Sequence, residues 1–150
     1  MNVTEFLDRS NIRYIVREHS PVFTSQGLAQ REHERGRYVA KPVIVKADQR
    51  YVMCVLPAPL KVDMDKLRDP LGATVLQLAT EDQMARLFPD CELGAEPPFG
   101  NLYDLPTVMD KSLEQDDHIM LQAGSHSKAI RLDMADYRRL VRPTVIEFAS

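Results

Sequence analysis

Lys41 is the residue whose type and position are best suited to stabilise negative charge in a buried site. It lies within residues 38–46, a β-branched and apolar stretch that predicts a strand. A lysine is rarely buried without a partner, so Lys41 in such a stretch is a candidate for lining an internal cavity. Lys46 lies on the opposite face of a regular strand, because it is five positions further along the chain, an odd offset. Its place beside a turn fits an edge lysine that discourages aggregation, so only Lys41 is expected to line a cavity.

Pro42 follows this lysine directly and constrains the strand around it. Proline has no amide hydrogen, so within a sheet it belongs at an edge or at a β-bulge. A bulge would turn the side chain of the neighbouring Lys41 in a new direction. The sequence leaves both placements open.

A long stretch without helix or strand character, residues 88–100, is the second candidate element. Its prolines remove backbone donors, and Gly94 and Gly100 bracket the stiff pair Pro97-Pro98. Rigid loops of this length are often lids or walls of binding sites. A surface crossover between a helix and a strand is an equally good interpretation.

A tight polar turn, Gly124-Ser125-His126-Ser127, is the third candidate element. His126 is the one residue in these three motifs that can titrate near neutral pH. A turn histidine bonded to the backbone is an equally good interpretation. Ser125 presents the same choice between a chemical and a structural role.

Several kinds of catalytic site have no counterpart in this sequence. There is no Gly-x-Ser-x-Gly elbow, no zinc motif and no phosphate-binding glycine loop. Cys54 lies in an apolar run and is expected in the core, and Cys91 in the loop is expected to be an inert thiol. His33 lies among acidic residues, but no second histidine follows at ligand spacing. We therefore expect neither a metal nor a cofactor.

Length and charge bound the remaining possibilities. The chain has 150 residues, enough for a single domain, residues 1–150, with one core. Its net charge is −3 and its pI is near 5.8, so DNA is not an expected partner and any RNA contact should be local. No signal peptide and no apolar run of about 18 residues is present, so we expect a cytoplasmic protein without membrane contact.

The pattern of helix and strand signals predicts an α+β fold with mixed, hairpin-rich connections. The clearest signals are the hairpin at residues 38–57, whose second strand is apolar on both faces, and the capping box formed by Thr80 and Gln83. The predicted helices are residues 4–8, 24–35, 62–68, 80–87 and 134–141, and the predicted strands are residues 12–16, 38–46, 51–57, 73–78, 105–110, 118–123 and 129–132.

The three candidate motifs, in this order, resemble the YbaK/prolyl-tRNA-synthetase-associated domain, a family of editing domains that deacylate mischarged tRNA. The resemblance covers residues 4–141. The sequence departs from the family pattern at Pro42, because the family lysine is commonly followed by threonine or another small polar residue. The matching motifs are Ala40-Lys41-Pro42-Val43-Ile44-Val45, Gly94-Ala95-Glu96-Pro97-Pro98-Phe99-Gly100 and Gly124-Ser125-His126.

The resemblance implies a mixed, strongly curved, barrel-like β-sheet flanked by helices, with the site between the lysine strand and the Gly-x-x-x-Pro loop. It implies ester hydrolysis by water, helped by the 2′-hydroxyl of the substrate. Lys41 would hold the terminal ribose-phosphate or the oxyanion, and amides near Gly94 and Gly124 would contact the ester carbonyl or the surroundings of the free α-amine. The other motif residues would bind the substrate: Ala95, Pro97, Pro98, Phe99, Gly100, Ser125 and His126. The expected partner is the acceptor end of aminoacyl-tRNA, with an aminoacyl-tRNA synthetase as a further candidate.

Two functions of different kinds follow. The first is a trans-editing hydrolase that deacylates tRNA mischarged with a small amino acid such as alanine or serine, because a wall stiffened by Pro97 and Pro98 rejects bulky side chains. The alternative is a non-catalytic module that binds an aminoacyl-tRNA or nucleotide end. Pro42 and the acidic pI favour the alternative.

Overall fold

The computed structural model describes residues 1–32 and 34–150. His33, which the sequence analysis considered as a metal ligand, lies outside the described residues. Within the described chain, no helix has both the length and the apolar character that crossing a membrane requires. The helices are α1 (Val3–Arg9), α2 (Ser25–Arg31), α3 (Met64–Leu71), α4 (Glu81–Leu87) and α5 (Met134–Val141). The strands are β1 (Tyr14–Glu18), β2 (Ala40–Ala47), β3 (Arg50–Pro57), β4 (Leu76–Leu78), β5 (Thr107–Asp110), β6 (His118–Gln122), β7 (Lys128–Asp133) and β8 (Thr144–Ile146).

The strands form two sheets. One has the order β1-β7-β6 and is antiparallel, and the other has the order β4-β2-β3-β5-β8. In the larger sheet β5 runs parallel to β3 and β8, whereas β2 is antiparallel to both of its neighbours. The predicted mixed α+β architecture is therefore confirmed.

The expectation of one strongly curved, barrel-like sheet is wrong. Both sheets are open, and a single parallel bridge between Val39 and Met120 links them among the described residues. The alternation of apolar residues shows that β6 and β7 are strands, but not which sheet they join. That choice depends on packing between distant parts of the chain, which local patterns do not encode.

β3 is buried on both faces, as its apolar sequence predicts. Alternate residues of a strand point to opposite sides, and here each side meets a separate hydrophobic cluster. Met53 and Val55 pack into the larger cluster, while Val52, Cys54 and Leu56 pack into the second. This strand gives the Lys41 strand, its partner in the hairpin, a rigid support.

The Phe99 end of the long loop is anchored in the core. The ring of Phe99 packs edge-on against Phe6, with 6.1 Å between centroids, and against Tyr137, with 5.3 Å between centroids. The hydroxyl of Tyr137 donates a hydrogen bond of 2.6 Å to the carbonyl of Pro98. The loop is thus tied to α1 and α5 by packing and by a buried hydrogen bond.

Helix boundaries depart from the predictions in α1, α2 and α3, the last of which runs from Met64 to Leu71 with Pro70 inside it, where residues 62–68 were predicted. Asn2 caps α1 by accepting from the amide of Glu5, where the sequence suggested that the helix begins at Thr4. α2 begins at its predicted cap, Thr24, but ends four residues before residue 35. The charged residues that follow it have helical composition but no apolar stripe to hold a further turn on the core. The predicted capping box of α4 is confirmed.

Candidate active site

Lys41 lines a groove with a volume of about 350 Å³ between β2 and the loop that follows α4. Residues 41–44 of β2 form one part of the lining, and Leu93, Gly94 and Glu96 of the loop form another. A smaller cavity of about 290 Å³ adjoins Lys41 at the start of α2. The lysine strand and the Gly94 end of the loop therefore share one groove.

The ammonium group of Lys41 is only partly satisfied by the protein. Its Nζ donates a hydrogen bond of 2.8 Å to the carbonyl of Ala58. An ammonium has three hydrogens, so donor capacity remains for a ligand. Burial lowers the pKa of Lys41, and the positive charge of Lys61 lowers it further. A bound anion would offset the effects of burial and of Lys61 on the pKa of Lys41. The site therefore favours binding of an anion.

Lys46 lies outside the groove, but the interpretation of an edge lysine is wrong, because β2 pairs there with both Tyr51 of β3 and Gln77 of β4. Pro42 takes the edge position, one of its two predicted placements. The Nζ of Lys46 lies 5.9 Å from the centroid of the Tyr51 ring, and Lys46 is not among the residues that line the groove. The pairing of β2 with β3 is continuous from Ala40 to Ala47, so Pro42 causes no bulge. β4 pairs only with residues 45–47 of β2, which leaves an edge at the proline.

Glu96 is the groove residue that the sequence analysis missed. Only 5% of its surface is exposed, yet it lines the same groove as Lys41. The amide of Gly94 donates a hydrogen bond of 3.1 Å to Oε1 of Glu96. Gly94 has φ of +87°, a conformation that favours glycine. The sequence does contain a signal for Glu96, because it is a carboxylate between Gly94 and Pro97 in a rigid segment. Carboxylates are rarely buried unless they are paired.

The other predicted loop residues support the groove from behind. They are buried, and the groove lining does not include them. The rigid wall therefore meets a ligand through Gly94 and Glu96, which the buried residues hold in place. These supporting residues are Ala95, Pro97, Pro98, Phe99 and Gly100.

The Gly-Ser-His turn fastens the loop to its surroundings. The amide of Gly124 donates to the carbonyl of Ala95 over 2.8 Å, and the carbonyl of Gly124 accepts from Glu92 over 2.8 Å. The ring nitrogens of His126 lie 3.0 Å from the carbonyl oxygen of Val22 and 2.7 Å from that of Leu93. These contacts are those of a turn histidine bonded to the backbone. The amides of Gly94 and Gly124 already have acceptors, so their contact with a substrate carbonyl stays a prediction.

Two potential nucleophiles have surroundings that suit inert groups. The hydroxyl of Ser125 lies 3.0 Å from that of Ser127 and accepts from the amide of Ser127. Burial raises the pKa of Cys91 to about 12, so its thiol stays protonated at neutral pH. Neither group is therefore placed as an activated nucleophile.

A larger depression, about 590 Å³, lies beside Asp110 on another part of the surface. Asp110 is satisfied there by the protein, because its carboxylate accepts from the amides of Ser112, Phe148 and Ala149. Its contacts hold the C-terminal residues on β5. The groove at Lys41 is the better candidate because its charged groups retain free bonding capacity.

Comparison with known proteins decides the family. The sequence profile described as "Aminoacyl-tRNA editing domain" matches residues 19–140, which include the lysine strand, the loop and the turn. The chain belongs to the aminoacyl-tRNA editing domain family. The resemblance drawn from the three motifs is thereby confirmed.

Two curated relatives place this editing domain among tRNA-editing proteins. It is 29% identical over 143 residues to the "Prolyl-tRNA editing protein ProX" of Acetoanaerobium sticklandii, covering 91% of this chain and 86% of the relative. It is 32% identical over 100 residues to the "Multifunctional Ser/Thr-tRNA deacylase ProXp-y" of Escherichia coli K12. That second match covers 66% of this chain and 59% of the relative.

A solved structure confirms the fold independently. The editing domain superposes with a TM-score of 0.85 on a protein provisionally described as a trans-editing enzyme for prolyl tRNA synthetase. The match covers 99% of this chain and 94% of the other, at 17% sequence identity. At that identity the likeness concerns the arrangement of the helices and strands.

Proposed function

We propose that this editing domain hydrolyses the ester bond of mischarged aminoacyl-tRNA in trans, with water as the nucleophile. The observation that carries the proposal is the partly satisfied ammonium of Lys41 in the groove that the Gly94 loop completes. Residues 1–150 act as one domain in this proposal. It works in the cytoplasm without a cofactor, on tRNA that a synthetase has charged wrongly.

Lys41 supplies the positive charge that the reaction needs. Hydrolysis of an ester develops negative charge on the carbonyl oxygen, and a preorganised cation stabilises that charge. The aminoacyl ester is already labile, so positioning and charge stabilisation are sufficient without a covalent intermediate. The adjacent 2′-hydroxyl of the substrate helps to activate water, as the family resemblance implies.

Contact with the RNA is confined to its acceptor end. The net charge of −3 argues against a broad phosphate-binding surface. Phe23, whose surface is 71% exposed, has its ring centroid 4.7 Å from that of His126, beside the loop that lines the groove. An exposed aromatic ring at this place is suited to stack on an unpaired base.

The amino acid removed is a small one, such as alanine or serine. The loop part of the groove is backed by buried residues, including Phe99 in the core, so it has little freedom to retreat from a larger side chain. The name of one relative, a Ser/Thr-tRNA deacylase, supports a small amino acid.

The alternative, a non-catalytic binding module, keeps one supporting observation. Pro42 stands directly after Lys41, where the family commonly has a small polar residue. Release of amino acid from mischarged tRNAs, measured beside tRNA binding, separates the two functions. Binding without release on every tRNA would favour the module.

The alkaline limit of activity should move when Lys61 is neutralised. The charge of Lys61 lowers the pKa of Lys41, so Lys61→Gln should raise that pKa and extend activity to higher pH. The measurement is the rate as a function of pH, corrected for spontaneous hydrolysis. Lys66→Gln, an exposed lysine on α3, is the control and should leave the profile in place. An unshifted profile in Lys61→Gln would contradict this prediction, in which the charge of Lys61 acts on a protonated Lys41 that the rate requires.

A further inference from the structure

We infer that Glu96 binds the α-ammonium group of the aminoacyl ester and so selects aminoacyl over other acyl groups. This inference rests on the proposed function and names the part of the substrate that the loop recognises. The starting observation is a carboxylate, 5% exposed, that lines the groove of Lys41.

The carboxylate of Glu96 is held in place but not saturated. Its recorded hydrogen bond is the one from the amide of Gly94 to Oε1, at 3.1 Å. An ionised carboxylate can accept about four hydrogen bonds, so capacity remains for a cationic donor. Pro97 follows directly and restricts the backbone conformation at Glu96. A buried charge of this kind is costly unless it is paired, and a ligand ammonium would pair it.

Lys41 and Glu96 together match the charges of the substrate. Both line one groove, and within the described part of the chain no ion pair joins them. The end of an aminoacyl-tRNA carries a positive ammonium beside an ester whose carbonyl oxygen becomes negative during hydrolysis. A substrate bound with its ammonium at Glu96 and its carbonyl oxygen at Lys41 would satisfy both groups.

A substrate pair that differs only at the α-position tests this assignment. Alanyl-tRNA and lactyl-tRNA are compared on the same tRNA at about pH 6.5, where the amine is protonated. Glu96→Gln should lower kcat/KM for alanyl-tRNA by about 10- to 10²-fold, the scale of one charge-assisted hydrogen bond. The value for lactyl-tRNA should stay within about twofold, because a hydroxyl has no charge to lose.

Two further variants control for folding and for general charge effects. Glu5→Gln, an exposed glutamate on α1 outside the groove lining, should leave the rates on both substrates unchanged. Glu96→Asp keeps the charge and should retain part of the preference for alanyl-tRNA. If Glu96→Gln does not fold, the comparison is made with Glu96→Asp, whose shorter side chain should weaken alanyl-tRNA selectively.

A binding measurement gives a readout that does not depend on turnover. Alanyl-amide and lactyl-amide analogues of the terminal adenosine cannot be hydrolysed as esters, and calorimetry compares their Kd values. The wild type should bind the alanyl analogue more tightly, and Glu96→Gln should remove the difference.

Three results would overturn the inference. An equal loss of kcat/KM on both substrates would mean that Glu96 acts on the attacking water or supports the loop. No loss on either substrate would mean that Glu96 does not contact the substrate. Wild-type turnover on neither ester would defeat the proposed function itself, and this inference with it.

Discussion

Lys41→Ala is expected to lower the rate of aminoacyl-tRNA hydrolysis by about 10²-fold or more, the effect of losing one oxyanion-stabilising donor. The ammonium is partly buried, bonded to the carbonyl of Ala58, and has hydrogens left for the substrate. The measurement is kcat/KM for release of the amino acid from a mischarged tRNA.

Lys46→Ala is the matched control for this prediction. It removes a lysine from the same strand, but one that lies near the Tyr51 ring and outside the groove lining. The control should hydrolyse the substrate at nearly the wild-type rate, and both variants should keep the wild-type circular dichroism spectrum. Equal losses at the two lysines would show that the charge of the strand as a whole, rather than Lys41, matters.

Phe99→Ala is expected to destabilise the protein by about 3–5 kcal/mol, the range for removing a buried phenylalanine. Phe99 is fully buried and packs against Phe6 and Tyr137, so its removal leaves a cavity behind the loop. The measurement is the free energy of unfolding from denaturant titration.

Phe23→Ala is the control for that stability measurement, because the same substitution is made at a ring that is 71% exposed. Its free energy of unfolding should change by no more than about 0.5 kcal/mol. A small effect at Phe99 would contradict the conclusion that core packing holds the loop rigid.

The sequence predicts elements well where local patterns carry the information. The apolar run of β3 and the capping box at Thr80 both follow from residue types. It predicts the grouping of strands into sheets poorly, because pairing between distant strands depends on packing. The single barrel-like sheet was wrong for this reason.

In the candidate site too, some residues can be predicted from local sequence patterns and others depend on packing between distant parts of the chain. Lys41 stands out in the sequence because a cation in an apolar strand is unusual. Glu96 does not, because its burial depends on how the following loop residues pack against α1 and α5. The sequence allows His126 to be either a titrating site residue or a turn histidine bonded to the backbone. Only the positions of the Val22 and Leu93 carbonyls show that its ring is bonded to the backbone.

The most direct test of the central claim is amino acid release from a panel of mischarged tRNAs under multiple turnover. Alanyl-, seryl-, prolyl- and leucyl-tRNA are incubated with the wild-type chain and with Lys41→Ala, and spontaneous hydrolysis is subtracted. The account predicts release from alanyl- or seryl-tRNA by the wild type, little from leucyl-tRNA, and loss of activity in the variant. Background release from every tRNA at micromolar enzyme, or fastest release from leucyl-tRNA, would contradict it.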